Sequence, residues 1–214
     1  MASRSRAGCA RELEDELRAK GFDDERVLAA LAAVPRERFV PKEHAEAAWR
    51  DRALPLPWGQ SISQPYVVAT MCSAAELSAG SKVLEVGTGW GYQAAVLGRL
   101  AREVVTLERV PELAAEARRR LAELGVENVR VLERDGWLGC PESAPFDAIV
   151  VAAAAERVPE ELLRELAEGG RLVLPLGVED QRLIVLRNPP TGLARRDLYP
   201  VRFVPLVREG RSAP

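Results

Sequence analysis

The 214-residue sequence has a single histidine, His44, only three cysteines, and few aromatic residues, 5% in all. One imidazole excludes most histidine-based triads and every multi-histidine metal site. Cys9, Cys72 and Cys140 are odd in number and widely spaced. They fit neither a disulfide framework nor a zinc site, and read as reduced thiols of a cytoplasmic protein. No run reaches the roughly 18 apolar residues that a membrane-spanning helix needs. The opening segment MASRSRAGCARELEDELR is basic but lacks the apolar stretch of a secretory signal. With a formal net charge of -2, neither nucleic acid nor an acidic membrane is an expected partner. The basic run Arg118–Arg120 reads as a solvated helix face.

What is present is the composition of an ordinary globular protein, 47% hydrophobic and 29% charged, long enough for one domain with a sizeable core. We read residues 1–214 as a single domain. Residues 1–60 supply N-terminal helices and a substrate-side loop, and residues 61–214 an α/β core. In the first part, Leu13 and Leu17 share a helix face that Gly21 stops, while Asp23 or Asp24 caps a second helix ended by Pro35. Pro41, Pro55, Pro57 and Gly59 then punctuate an irregular stretch, and a helix is expected from about Pro65 to Leu77.

From Lys82 the pattern alternates strand and helix. KVLEV, EVVTLE, NVRVLE, FDAIVVAAA, RLVLPL, QRLIVL and YPVRFVPLV are seven candidate strands, with VPEELLRELAEGG a helix between the fourth and fifth. This alternation predicts a doubly wound, mostly parallel seven-stranded sheet of Rossmann-like type, preceded by a helical extension. The last residues, REGRSAP, read as a frayed tail.

Gly87, Gly89 and Gly91 fall between the first core strand and its helix, in VLEVGTGWGY. Glycines there permit a tight turn and close approach of a ligand to backbone, beside a helix N-terminus. The spacing is G-x-G-x-G, and Tyr92 occupies the third glycine position of a dinucleotide fingerprint. This disfavours a pyrophosphate and suits S-adenosylmethionine. Glu108, 21 residues beyond Gly87, ends the next strand where a carboxylate accepts from ribose hydroxyls. Asp135 ends the third, placed to accept from an adenine amine while Gly136 leaves room for the ring. Taken singly, Glu108 can be a surface residue and Asp135 a turn or N-cap aspartate. Three such features at successive strand ends point to an adenosine-type cofactor.

VPRERFVP (34–41), GQSISQPYVVA (59–69), VLEVGTGWGYQAAVL (83–97), LERVPELAAEAR (107–118), RDGW (134–137), PFDAIVV (145–151), GGRLVLPLG (169–177) and VRFVPL (201–206) resemble the blocks of the protein-L-isoaspartate O-methyltransferases over nearly the whole chain. The SISQP and VRFVPL blocks are the specific ones. The resemblance implies methyl transfer from S-adenosylmethionine, which leaves as S-adenosylhomocysteine, to the free α-carboxylate of L-isoaspartyl residues in damaged proteins or peptides. The ester then collapses to a succinimide that hydrolyses partly to aspartate. It implies Ser63 as the active-site serine, and cofactor contacts from Ser61, Ile62, Gly87, Thr88, Gly89, Gly91, Glu108, Arg109, Asp135 and Gly136. No metal is implied, and the enzyme is expected to be a cytoplasmic monomer. The family usually has threonine at Ser61, glycine at Pro57 and a small or polar residue at Trp90. These departures bear on substrate fit.

GQSISQP holds no acid, base or thiol, and this chemistry needs none. A carboxylate is already deprotonated near neutral pH, and a thioether leaves a sulfonium without protonation. Positioning remains, with hydroxyl and backbone N–H donors orienting the oxyanion in line with the methyl carbon. From local sequence alone Ser63 reads better as a helix N-cap ahead of Pro65, and the family resemblance is what favours the active-site role. The extended backbone at Val204, Pro205 and Leu206 is expected to pair with the substrate main chain. Rival readings are a carboxyl methyltransferase for an aspartate in a dedicated peptide, an NAD-type oxidoreductase, which Tyr92 and the lone His44 oppose, and a silent cofactor-binding protein.

Overall fold

The computed structural model describes residues 5–188, 190 and 192–208. The tail from residue 209 lies outside the described residues. Helix α1 (Arg6–Ala19) is capped by Ser5, whose side chain accepts from the Gly8 N–H. Helix α2 (Glu25–Ala33) is capped by Asp24 through the Val27 N–H. Leu13 and Leu17 of the first meet Val27, Leu28 and Leu31 of the second in one hydrophobic cluster. Two 3-10 helices, Arg36–Phe39 and Lys42–Ala47, lead to a hairpin of β1 (Leu54–Pro55) and β2 (Ser61–Ile62), paired antiparallel. Trp58 and Gly59 turn it, both with positive φ (59° and 68°).

Helix α3 (Pro65–Ala74) has Pro65 in its first turn, where the missing N–H costs nothing. It stops short of Leu77, because Ala75 caps it and Glu76 enters the left-handed region at φ 45°. Next come β3 (Lys82–Val86), α4 (Tyr92–Leu100), β4 (Glu103–Glu108), α5 (Pro111–Glu123), β5 (Val129–Glu133), β6 (Phe146–Val151), α6 (Glu160–Arg164), β7 (Leu166–Leu176), β8 (Arg182–Arg187) and β9 (Ala194–Pro200).

The last seven strands form one sheet in the order β5-β4-β3-β6-β7-β8-β9. Pairing is parallel from β5 through β7, and β8 and β9 add antiparallel. The chain winds outward from β3 to β5, then restarts on the other side with β6. The β3–β6 boundary is therefore the switch point at which such sheets bind ligands. Val83, Leu84, Val104, Val105, Ala148, Ile149 and Val150 are fully buried there. Helices cover both faces, and each buried branched side chain contributes about 1.5–3 kcal/mol relative to exposure.

Three expectations about elements are corrected. The segment VPEELLRELAEGG keeps only one and a half turns of helix. Leu166 pairs with Phe146, and β7 runs from there through a register shift. The seventh strand is ARRDLYP (Ala194–Pro200) rather than YPVRFVPLV, since Val201–Val207 lies beyond β9 and pairs with the sheet end through an isolated Ala154–Pro205 bridge. The strand FDAIVVAAA ends at Val151, and its alanines bend away from the strand, Ala154 forming an isolated bridge with Pro205.

Candidate active site

A cavity of about 700 Å³ opens above the carboxyl ends of β3, β4 and β6. Its floor is the turn from β3 into α4, where Gly87, Gly89 and Gly91 have φ of 91°, 55° and 94°. Side chains with a Cβ strain in that region, so the glycine spacing is a backbone requirement. The turn is pinned by the Gly87 and Thr88 N–H groups, which both donate to the Leu107 carbonyl at 2.9 and 3.2 Å. Gly136 approaches from the end of β5, and a Cβ there would stand 2.2 Å from Val86 Cγ1.

Glu108 lines this part of the cavity and is nearly buried. Its carboxylate accepts from the Gly89 N–H (2.8 Å) and the Val110 N–H (3.0 Å), and burial raises its pKa. A carboxylate has about four acceptor positions, so it retains capacity for ribose hydroxyls. Beneath the turn, Thr88 and Thr106 hydroxyls lie 2.6 Å apart, and Thr106 donates to fully buried Glu85. Desolvation pushes the Glu85 carboxyl up to about 8. Arg109 lines the cavity while largely exposed. Asp135 does not line it. It is the N-cap of a 3-10 turn, accepting from the Trp137 N–H at 2.9 Å, and only its neighbour Gly136 reaches the cavity.

The facing wall carries Ser61, Ile62 and Ser63. Ser63 is not a cap. The N-cap position of α3 is Gln64, and the Tyr66 N–H is taken by Asp51 Oδ1 at 2.7 Å. Among the described residues the Ser63 hydroxyl makes no hydrogen bond, and it borders the cavity. Its carbonyl accepts from Arg36 Nη2 at 2.9 Å, and the same fully buried guanidinium donates to the Arg52 and Ala48 carbonyls. Arg36 also sits 5.5 Å from the Tyr92 ring centre, tying the serine segment to the start of α4. Asp51, its side chain fully shielded, further accepts from Gln64 Nε2 and pairs with Lys20. Sequence reading missed both residues. Arg36 carried a weak signal, a charge between the apolar Val34 and Phe39; Asp51 carried none.

The last wall is the segment Tyr199–Val207, which includes Val204, Pro205 and Leu206. Val204 O accepts from the Ala154 N–H (2.8 Å), and the Leu206 N–H donates to Ala154 O (2.7 Å). Every expected site residue except Asp135 and Gly91 thus borders one cavity; Gly91 shapes the turn from behind, where a Cβ would meet Leu121 and Ala117 of α5.

Trp90 also has an explanation. Its ring lies 3.8 Å from the Arg120 guanidinium, so Arg120 turns inward and is not part of a solvated face as the basic run suggested. Trp90 and Gln93 both border the cavity, nearly buried. The indole N–H and both amide atoms of Gln93 have no hydrogen-bond partner. These atoms are sealed from solvent. The Cβ-free turn and the strand-end carboxylate of Glu108 fit an amino-acid-bearing nucleoside cofactor. Among the described residues no group of three or more His, Cys, Asp or Glu can hold a metal ion, and no helix is long and apolar enough to cross a membrane.

Sheet order, glycine turn and strand-end carboxylate define the Rossmann-like class of S-adenosylmethionine-dependent methyltransferases. Residues 9–211 match the model of the protein-L-isoaspartate(D-aspartate) O-methyltransferase family, and the chain belongs to that family. A protein-L-isoaspartate O-methyltransferase of Gloeobacter violaceus is 53% identical over 199 residues, covering 92% of this chain and 97% of the relative. One from Koribacter versatilis is 51% identical over 92% of this chain and 90% of its own length. Among solved structures, a Plasmodium falciparum protein described as an isoaspartate methyltransferase in complex with S-adenosyl-L-homocysteine superposes with TM-score 0.82 at 25% identity, covering 96% of this chain and 99% of that one. A solved protein-L-isoaspartate O-methyltransferase also gives 0.82, at 29% identity and 92% of this chain. This chain spans 65% of that longer protein.

Proposed function

We propose that this chain transfers a methyl group from S-adenosylmethionine to the free α-carboxylate of L-isoaspartyl residues in damaged proteins and peptides, starting their return to aspartate. The observation that carries the proposal is one cavity bordered by the glycine turn, the unpaired Ser63 hydroxyl and an extended backbone segment, in a chain of this family.

The cofactor, when bound, supplies a sulfonium-borne methyl whose sulfur leaves as a neutral thioether. Gly87, Thr88 and Gly89 would hold its amino-acid end, with Ser61 and Ile62 opposite and Gly91 shaping the turn from behind. Glu108 would hold the ribose, and Arg109 and Gly136 the base. Asp135 fixes the turn that presents Gly136. The substrate carboxylate brings its own negative charge, so the residues around it orient rather than deprotonate. Ser63 donates its free hydroxyl to one carboxylate oxygen and turns the other toward the methyl. Arg36 holds the Ser63 carbonyl and so fixes where that hydroxyl stands. A neutral donor of this kind orients the carboxylate without adding a cation that would quench the nucleophile. The Val204–Leu206 backbone receives the substrate main chain, which suits a target defined by backbone chemistry rather than by one side chain.

We further assign the protein to the cytoplasm as a monomer of one domain. Three free cysteines, two of them buried, and a cavity completed within one chain support this. The test is incubation with labelled cofactor and matched isoaspartyl and aspartyl peptides. Labelling of the isoaspartyl peptide alone is expected, and equal or absent labelling of both rejects the proposal.

A further inference from the structure

Gln181 stands just before β8, half-buried and outside the residues that border the cavity. Nothing in its sequence setting marks it. Yet it grips the main chain of the cavity wall at two residues. The Phe203 N–H donates to Gln181 Oε1 at 2.6 Å, and Gln181 Nε2 donates to the Phe203 carbonyl at 3.1 Å. The Gln181 carbonyl itself accepts from the Val201 N–H at 3.0 Å. A carboxamide offers an acceptor and a donor as a peptide group does, so its side chain serves Phe203 as one residue of a neighbouring strand would. The wall segment has left the sheet, and this clasp replaces the ladder it lost.

The consequence lies on the opposite edge. An extended chain points its N–H and C=O groups alternately to either side, residue by residue. With Val201 and Phe203 committed to Gln181, the groups of Arg202 and Val204 face the other way. There Ala154 takes the Val204 carbonyl and the Leu206 N–H. Among the described residues, the Arg202 N–H, the Arg202 C=O and the Val204 N–H make no hydrogen bond. The side chains agree with this orientation, since Val201 and Phe203 pack against the core while Arg202 is exposed.

We propose that Gln181 is a positioning residue for substrate: by clasping Phe203 it fixes the rotation of the wall segment, so that the free main-chain groups of Arg202 and Val204 form an edge on which an extended isoaspartyl peptide pairs. This rests on the reading that the wall receives substrate main chain. Gln181 touches neither the peptide nor the cofactor.

The test compares Gln181→Met, which keeps the shape but loses both side-chain hydrogen bonds, with Gln181→Glu, which keeps only the acceptor for the Phe203 N–H. Steady-state kinetics vary an isoaspartyl peptide and S-adenosylmethionine in turn, calorimetry measures S-adenosylhomocysteine binding, and amide exchange follows Phe203 and Val204. Gln181→Met is expected to raise KM for the peptide about tenfold, with kcat and the cofactor KM within about twofold. Gln181→Glu should fall between it and the parent. Faster exchange at Phe203 and Val204 should accompany both.

An unchanged peptide KM, or a loss shared equally by peptide KM, cofactor KM and kcat, overturns the proposal. If Gln181→Met does not bind S-adenosylhomocysteine, Gln181→Glu decides alone on the same criteria. If the parent protein does not methylate the peptide, the functional reading fails instead. Amide exchange then decides for Gln181, and rates equal to the parent's in both variants overturn it.

Discussion

On the cofactor side of the cavity, each wall segment leaves the end of a parallel strand and inherits its position from continuous ladder hydrogen bonds. On the facing walls, which carry Ser61 to Ser63 and the segment proposed to receive substrate, there is almost no ladder: two-residue strands, 3-10 turns and a segment beyond the last strand. Position is held there by single side chains reaching for backbone. Arg36 holds three carbonyls, Asp51 an N–H at the start of α3, and Gln181 both groups of Phe203. Ladders distribute the work over many equivalent bonds, while clasps concentrate it in one residue. The substrate side should therefore be fragile to point substitution where the cofactor side is tolerant.

Substitution sharpens this contrast. The largest effect is expected for Arg36→Met, which leaves three carbonyls without their donor and should cost about 3–5 kcal/mol of stability. Denaturant titration measures it, and a loss below about 1 kcal/mol would contradict the clasp picture. Ser63→Ala should lower kcat about 100-fold, equivalent to about 2.7 kcal/mol, with S-adenosylhomocysteine affinity within about twofold. Lost cofactor affinity would mean Ser63 belongs to the other wall. Asp51→Ala removes the acceptor for the Tyr66 N–H and should cost about 1–2 kcal/mol, with a rise in peptide KM that kinetics would detect.

The last test addresses the ladder side. The Glu85 carboxyl is raised to about 8 in the folded protein from 4.5. The stability its protonated form gives is complete below about 4.5 and is lost as pH rises toward 8. Glu85→Gln should thus flatten the fall of Tm between pH 5 and 8 and leave cofactor affinity close to the parent's. A variant retaining the parent's slope would show that Glu85 is not the group responsible.

The same contrast decides what could be read from the sequence. Strands covered on both faces declare themselves as short apolar runs, so KVLEV, EVVTLE and FDAIVV were legible. The glycine turn was legible because its backbone forbids other residues. The seventh strand was misread for a reason equally physical. ARRDLYP is an edge strand, and its charges protect the edge while making it look like a loop. VRFVPLV carries the apolar residues of a strand but spends them on the core and the cavity wall. In VPEELLRELAEGG, Leu162, Leu163 and Leu166 suggest a helix face, but Leu166 pairs with Phe146 in the sheet. Ser63 was recognised only through family resemblance, since its local sequence is that of a cap. Arg36, Asp51 and Gln181 bond to partners 12 to 27, 13 to 31, and 22 residues away respectively. No local pattern encodes such distances.

The order of walls along the chain also has a consequence in time. The glycine turn and the strands that hold it precede the Tyr199–Val207 segment in the sequence. During synthesis the nucleotide-binding half therefore emerges before the last side of the groove exists. On the proposed reading of the two walls, a nascent chain at that stage carries the residues assigned to the cofactor but not those assigned to the peptide main chain, and methylation waits until the final wall leaves the ribosome.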